Sequence, residues 1–352
     1  MTDVPASAEP RLTSLAHGGG CGCKIAPGVL EGILRGGITL PVPPELLVGI
    51  ETSDDAAVFR VNDHQAIVAT TDFFMPIVDD PGDFGRIAAT NAISDVYAMG
   101  GTPVFALALV GMPINKLSTA TIARILDGGA EACRAAGIPI AGGHTIDSVE
   151  PIYGLVAIGL VDPAHLKRNA GARPGDALVL GKPLGVGIFS AALKKGALDQ
   201  ASYARLIETT TRLNTPGPEI ARLDGVHAMT DVTGFGLAGH ALEMARGSGC
   251  RLRIGWSEVP LLDPARRLAE AGFITGASGR NWASYGHEVE YARAMTEVDQ
   301  ALLSDPQTSG GLLVASTQET VPEVLAIFRR YGFAAAAVIG EAAEGAPRLI
   351  VA

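Results

Sequence analysis

Two hydrophobic periods alternate along this chain and divide it into strand-like and helix-like pieces. From about residue 46, short β-branched or apolar runs at 56–61 and 65–71 carry the period-two signature of strands. The period then changes. Phe84, Ile87, Ile93, Val96 and Met99 fall near one face of a helix, which Gly100-Gly101 terminates. The apolar run at 104–110 reads as a buried strand, and Ser118 as the N-cap of a helix that reaches Ala136 and stops at Gly137. Strands at 138–141 and 152–161 close this half. After a polar stretch at 162–176, strand-then-helix order restarts with a strand at 177–180 and a helix beyond Gly185 and Gly187. A strand at 227–232, a Gly-rich turn and a helix near 237–246 follow. A strand at 312–315, a helix near 321–331 and strands at 334–339 and 348–351 finish the chain. The pattern predicts an α/β protein with mixed (α+β) sheets and two domains, 46–161 and 177–352, joined by a linker at 162–176. A Gly-rich arm over 1–45 precedes them and is expected to be mobile without ligand.

Composition sharpens this reading. A chain of 352 residues exceeds one comfortable core, and 47% apolar residues favour a globular protein over disorder. The 27 basic and 37 acidic residues leave a formal net charge of −10. Such a body repels polyanions, so nucleic acid is not an expected partner. A bound nucleotide would need its phosphates neutralised by metal ions on carboxylates. The first 17 residues lack an apolar leader, and the long uncharged stretch 96–115 is broken by Gly100, Gly101, Pro103 and Pro113, so no membrane span is expected. Four cysteines make no disulfide framework, which points to a reducing, cytoplasmic setting.

Candidate chemistry lies where aspartates meet chain reversals. Asp54-Asp55 precedes a strand, Asp72 ends one, Asp95 sits near a helix C-terminus with Asn91 one turn earlier, and Asp231 ends a strand before Thr233-Gly-Phe-Gly236. Carboxylates beside Gly-rich backbone can hold Mg²⁺ against phosphate oxygens. Turn and cap roles are the bland alternative. Gly18-x-x-x-x-Cys23-Lys24-Ile25 only imitates a P-loop, because its second glycine and its hydroxyl residue are missing. Gly234-Phe-Gly236-Leu-Ala-Gly239 satisfies G-x-G-x-x-G with Glu258 about 20 residues on, so a dinucleotide site is a rival. The arm His17-Gly-Gly-Gly-Cys21-Gly-Cys23-Lys24 joins two thiols to a cation. A nearby ammonium favours thiolate, which suits a soft partner such as selenium. A redox pair, half a zinc site or an incidental tail are the alternatives.

Residues 17–25, 47–58, 70–115, 141–147, 229–240, 280–287 and 305–313 together resemble the selenophosphate synthetase (selenide, water dikinase) family, from about residue 11 to the end. The resemblance implies an aminoimidazole ribonucleotide synthetase-like fold, a homodimer paired through strands of the first domain, and conversion of ATP, selenide and water to selenophosphate, AMP and phosphate. It implies Cys21 for selenium handling and Lys24 as the catalytic lysine near the phosphates. It implies Asp55, Asp95 and Asp231 as Mg²⁺ ligands. Lys24, Thr52, Ser53, Asp54, Asp72 and Asp95 would line the nucleotide, and Gly143, His144 and Thr145 would reach ATP in the partner subunit. Selenide would arrive free or from a donor protein. Rival readings are another ATP-dependent kinase of the same fold, a non-catalytic nucleotide-binding module, or a dinucleotide-binding oxidoreductase.

Other residues read as structural. Cys133, Cys250, Trp256 and Trp282 are placed in packing, and His64, His165 and His227 at surface or turn positions. Lys194-Lys195 reads as a solvated helix face, and the segment 305–311 as a tight turn before a buried strand.

Overall fold

The computed structural model describes residues 9–25, 29, 32–33, 42–49, 54–292 and 294–352. Strands β1 (Leu46–Val48), β2 (Ala57–Asn62), β3 (Gln65–Phe74), β4 (Thr102–Met112), β5 (Ile140–Asp147) and β6 (Ile152–Val161) form one sheet in the order β1-β2-β3-β6-β4-β5. Neighbours run antiparallel except β4 and β5, which are parallel. Period two decides which side is covered. In β3, Ala66, Val68, Thr70, Asp72 and Phe74 are buried, while Ile67 and Phe73 point outward and are exposed.

Helices α1 (Pro81–Ala98) and α2 (Thr119–Ala135) lie on the covered side. Asp80 caps α1 by accepting the Asp83 N–H at 2.9 Å, and Ser118 caps α2 by accepting that of Thr121 at 3.1 Å. α1 ends where Gly100 turns to φ 76°. The two helices approach so closely that a Cβ at Gly85 would lie 1.9 Å from the Ile125 carbonyl oxygen. The opposite face of the sheet leaves Phe59, Val61, Ile67, Phe73, Val104 and Leu160 exposed.

The second sheet comprises β7 (Ala177–Leu180), β8 (Val226–Asp231), β9 (Arg251–Ile254), β10 (Val289–Tyr291), β11 (Leu312–Ser316), β12 (Ala337–Ala343) and β13 (Leu349–Val351), ordered β10-β13-β9-β12-β7-β11-β8. β13 pairs in parallel with β9 and β10, and the other pairs are antiparallel. Every residue of β7 and β11 is buried, which is why both read as continuous apolar runs. Around this sheet lie α3 (Val186–Lys194), α4 (Gln200–Thr210), α5 (Gly236–Ser248), α6 (Gly276–Tyr285) and α7 (Val321–Arg330), with shorter helices at Gly217–Ile220, Ala265–Glu270 and Glu297–Leu303. The mixed sheets agree with the predicted class.

The structure departs from the sequence pattern in several places. The strand placed at 138–141 starts at Ile140 and continues to Asp147, because its edge position lets polar residues remain in strand pairing. Helices α4 and α6 have no counterpart in the sequence reading; α6 (sequence GASGRNWASY) carries too few large apolar residues to show a period. His227 is neither a surface nor a turn residue. It lies half-buried in β8 with Nδ1 2.9 Å from both Asp176 oxygens.

Candidate active site

The helical and strand periods bring the aspartates together. Asn91 and Asp95 stand one turn apart on α1, facing the inward side of β3, where Thr70 and Asp72 are two residues apart. Thr70 Oγ1 donates to Asp95 at 2.5 Å, and Asn91 Nδ2 to Asp72 at 2.7 Å. From the second sheet, Asp231 at the end of β8 accepts the Ser94 hydroxyl of α1, and Thr230 Oγ1 donates to Asp55 at 2.8 Å. One oxygen each from Asp55, Asp95 and Asp231 therefore lies within 4.8 Å of the others. Burial, and then the charge of Asp231, pushes the carboxyls of Asp55 and Asp95 well above the usual range. Burial also raises Asp231. Asp55 Oδ2 is buried with no hydrogen-bond partner. Three hard oxygen donors that resist ionising together, one of them unsatisfied, fit a divalent cation such as Mg²⁺.

The Gly-rich arm docks beside this cluster. Gly20 to Cys23 make one tight helical turn, anchored by the Gly20 N–H on Met75 O at 2.8 Å and the Cys21 N–H on Thr308 Oγ1 at 3.1 Å. Gly20 holds φ 54°, and a Cβ there would meet Thr308 Oγ1 at 2.2 Å, so the position excludes side chains. The Cys21 thiol, 1% exposed, donates to Asn91 Oδ1 at 3.1 Å. Burial pushes it above the ordinary thiol range; Asp72 adds to this, and Lys24 opposes it. Lys24 Nζ lies 3.2 Å from Asp72 Oδ2. Its side chain is 41% exposed, so desolvation takes little from its charge, and Asp72, Cys21 and Asp95 hold it above the ordinary lysine value. In this arrangement burial favours the protonated thiol at Cys21, and the neighbouring acids favour the ammonium at Lys24.

The segment 305–311 is buried throughout and is more than a turn. Thr308 receives the arm, and the Ser309 N–H donates to Asn91 Oδ1 at 2.7 Å from a backbone with φ 53°. Buried Lys182 holds the Ser309 carbonyl at 2.7 Å and that of Arg212 at 2.6 Å, and its burial lowers its pKa to about 7. Asp305 Oδ2 accepts the N–H groups of Gly187 at 2.9 Å and Ile188 at 3.3 Å in the first turn of α3.

Residues 53–161 match the family "AIR synthase related protein, N-terminal domain", and residues 173–351 its C-terminal counterpart. A selenide, water dikinase of Dechloromonas aromatica is 67% identical over 341 residues, covering 97% of this chain and 98% of that protein. One from Pseudomonas straminea is 64% identical over 352 residues, covering 100% and 99%. The chain belongs to the selenide, water dikinase family. The fold also matches solved structures. A thiamine monophosphate kinase from Aquifex aeolicus has a TM-score of 0.61 at 19% identity, covering 92% and 94%, and a hydrogenase maturation protein has 0.65 at 20%, covering 88% and 91%.

Within that family assignment, the residues singled out in the sequence fall into four groups. Cys21, Lys24, Asp55, Asp72, Asp95 and Asp231 gather at one place. Asp54, whose charge acts on Asp55, accepts the Asn169 N–H at 2.8 Å. Gly143, His144 and Thr145 lie exposed along the edge strand β5. Thr52 and Ser53 fall outside the described residues. Gly234, the first glycine of the dinucleotide-like motif, faces the arm: a Cβ would meet Cys21 O at 2.9 Å and Lys24 Cδ at 3.1 Å. The motif therefore gives the arm its seat. Asn91, Thr308 and Lys182 were missed as site residues. Only the i,i+4 spacing of Asn91 and Asp95 was visible beforehand. No helix among the described residues is long and apolar enough to cross a membrane.

Proposed function

We propose that this chain makes selenophosphate from selenide, consuming ATP and water and releasing AMP and phosphate, with Mg²⁺ held on Asp55, Asp95 and Asp231. The observation that carries the reading is the docking of Cys21 and Lys24 onto a buried carboxylate cluster, in a chain that matches selenide, water dikinases over its full length. When bound, the metal would neutralise the triphosphate of ATP, which an acidic chain otherwise repels.

The chain's own residues do the rest. Lys24 brings a positive charge to the transferring phosphoryl group. Cys21 keeps its proton on Sγ while the arm is docked and handles selenium when it opens. The docked arm excludes water from the phosphates. Thr52, Ser53, Asp54, Asp72 and Asp95 line the nucleotide. Gly143, His144 and Thr145 serve the ATP of a partner subunit in a homodimer. The apolar outer face of the first sheet and the exposed edge β5 support such pairing. Free thiols at Cys21 and Cys23 suit a reducing cytoplasm, where selenide is taken free or from a donor protein. A ³¹P spectrum of the products tests the reading. Selenophosphate, AMP and orthophosphate are expected only when selenide is present; ADP as end product, or turnover indifferent to selenide, would overturn it.

A further inference from the structure

Cys21 is almost sealed from solvent, so its selenium substrate needs a way in. Asp72 and Asp231 act on the thiol from the carboxylate cluster and repel an anion. On the other side of the arm lies a cavity of about 280 Å³. Gly22, Ala277 and Arg280 line both this cavity and the narrow cleft over Cys21 and Lys24. Thr308, which holds the Cys21 N–H, lines the cavity as well. Its lining includes Lys194 and Lys195 at the end of α3, and Arg280 on α6 where the cavity meets the cleft.

None of these three cations is paired with a carboxylate of the described residues. Lys194 Nζ donates to Ala16 O at 2.9 Å, Lys195 lies 5.4 Å over the Phe273 ring, and Arg280 Nη2 donates to Gly22 O at 3.1 Å. Glu150, an acid that senses Lys194, is tied to His17 at 2.7 Å and 2.9 Å. Three positive charges outside any ion pair, with Glu150 the acid that acts on Lys194, stand out around one cavity in a chain of net charge −10.

We infer that this cavity collects the small anionic chalcogenide substrate and leads it past Arg280 to Cys21, from the side opposite to the nucleotide phosphates. The inference rests on the dikinase reading for the identity of that anion and for Cys21 as its destination. Selenide is a monoanion at neutral pH, so the field of Lys194, Lys195 and Arg280 raises its local concentration. The Arg280–Gly22 hydrogen bond bars the last step until the arm shifts. The pair Lys194-Lys195, placed on a solvated face by the sequence, thereby gains a function.

Two alkylating reagents of similar size and different charge test this without turnover. Iodoacetate is an anion and iodoacetamide is neutral. The rate of each at Cys21 is followed by fragment-ion mass spectrometry, which separates Cys21 from Cys23. Iodoacetamide reports arm opening alone; the ratio of the two rates reports the potential on the path. Lys195→Glu and Lys194→Glu should each lower the ratio by roughly three- to tenfold at low ionic strength. The difference should vanish near 1 M salt, where the Debye length is about 3 Å. In steady-state assays the same variants should raise the KM for selenide and leave that for ATP in place. An unchanged ratio, or an ATP KM that rises in step with the selenide KM, overturns the route. If neither reagent modifies Cys21, the selenide KM decides. If the chain makes no selenophosphate at all, the dikinase reading has failed while the alkylation ratio still judges the path.

Discussion

Asp305 shows how much a single buried side chain can govern. It is fully buried, and desolvation lifts its carboxyl to about 7 against the backbone N–H groups that favour ionisation. Between pH 4 and 7 the folded state keeps a proton that the unfolded state has lost, so Asp305 makes stability fall as pH rises through that window. The total is on the order of 4 kcal/mol. Asp305→Asn should make the stability–pH profile shallower between pH 4 and 7, measured by denaturant midpoints. An equally steep profile would show that Asp305 ionises freely. At the site itself, Cys21→Ser should keep ATP binding and lose selenophosphate formation; retained product would remove the thiol from the chemistry. Residue-level legibility was uneven for a physical reason. Aspartates at chain reversals announce themselves, whereas Asn91, Thr308 and Lys182 matter only because the fold brings separate segments onto the same atoms.

The arm is the element whose conformation the site depends on most. The arm and its seat are fitted through glycines: Gly20 in the arm by its positive φ, and Gly234 in the turn opposite by the space that Cys21 and Lys24 need. Gly20→Ala should undock the arm. A left-handed backbone costs a residue with a Cβ roughly 1–2 kcal/mol, so Cys21 alkylation by a neutral reagent should rise about tenfold or more while the melting temperature of the body barely moves. Unchanged alkylation would mean that the arm docks without this turn. The strands and helices of the first domain were legible because their apolar positions keep a clean period. α6, which seats the arm through Ala277 and Arg280, was not, because glycine, serine and alanine pack closely without marking a face. The loop at 305–311 has the composition of a turn and the burial of a core, and only the second property reveals its role.

At the scale of the whole molecule, the restart of strand-then-helix order near residue 177 was enough to expect two α/β units. The exposure of one face of the first sheet was not legible, since Phe59, Ile67 and Phe73 look like any core strand residue in the sequence. If that face pairs with a second copy, Phe73→Glu should yield monomers by sedimentation equilibrium and weaken turnover, because β5 would no longer reach a partner's nucleotide. A variant that remains dimeric would place the interface elsewhere. The net charge of −10 frames the central claim: the cluster of Asp55, Asp95 and Asp231 holds a nucleotide only through a divalent cation. The most direct measurement is ATP binding by equilibrium dialysis, with Mg²⁺ and then with EDTA, on the intact chain and on Asp231→Asn. The account predicts tight binding only for the intact chain with Mg²⁺. Equal affinity in EDTA would contradict it.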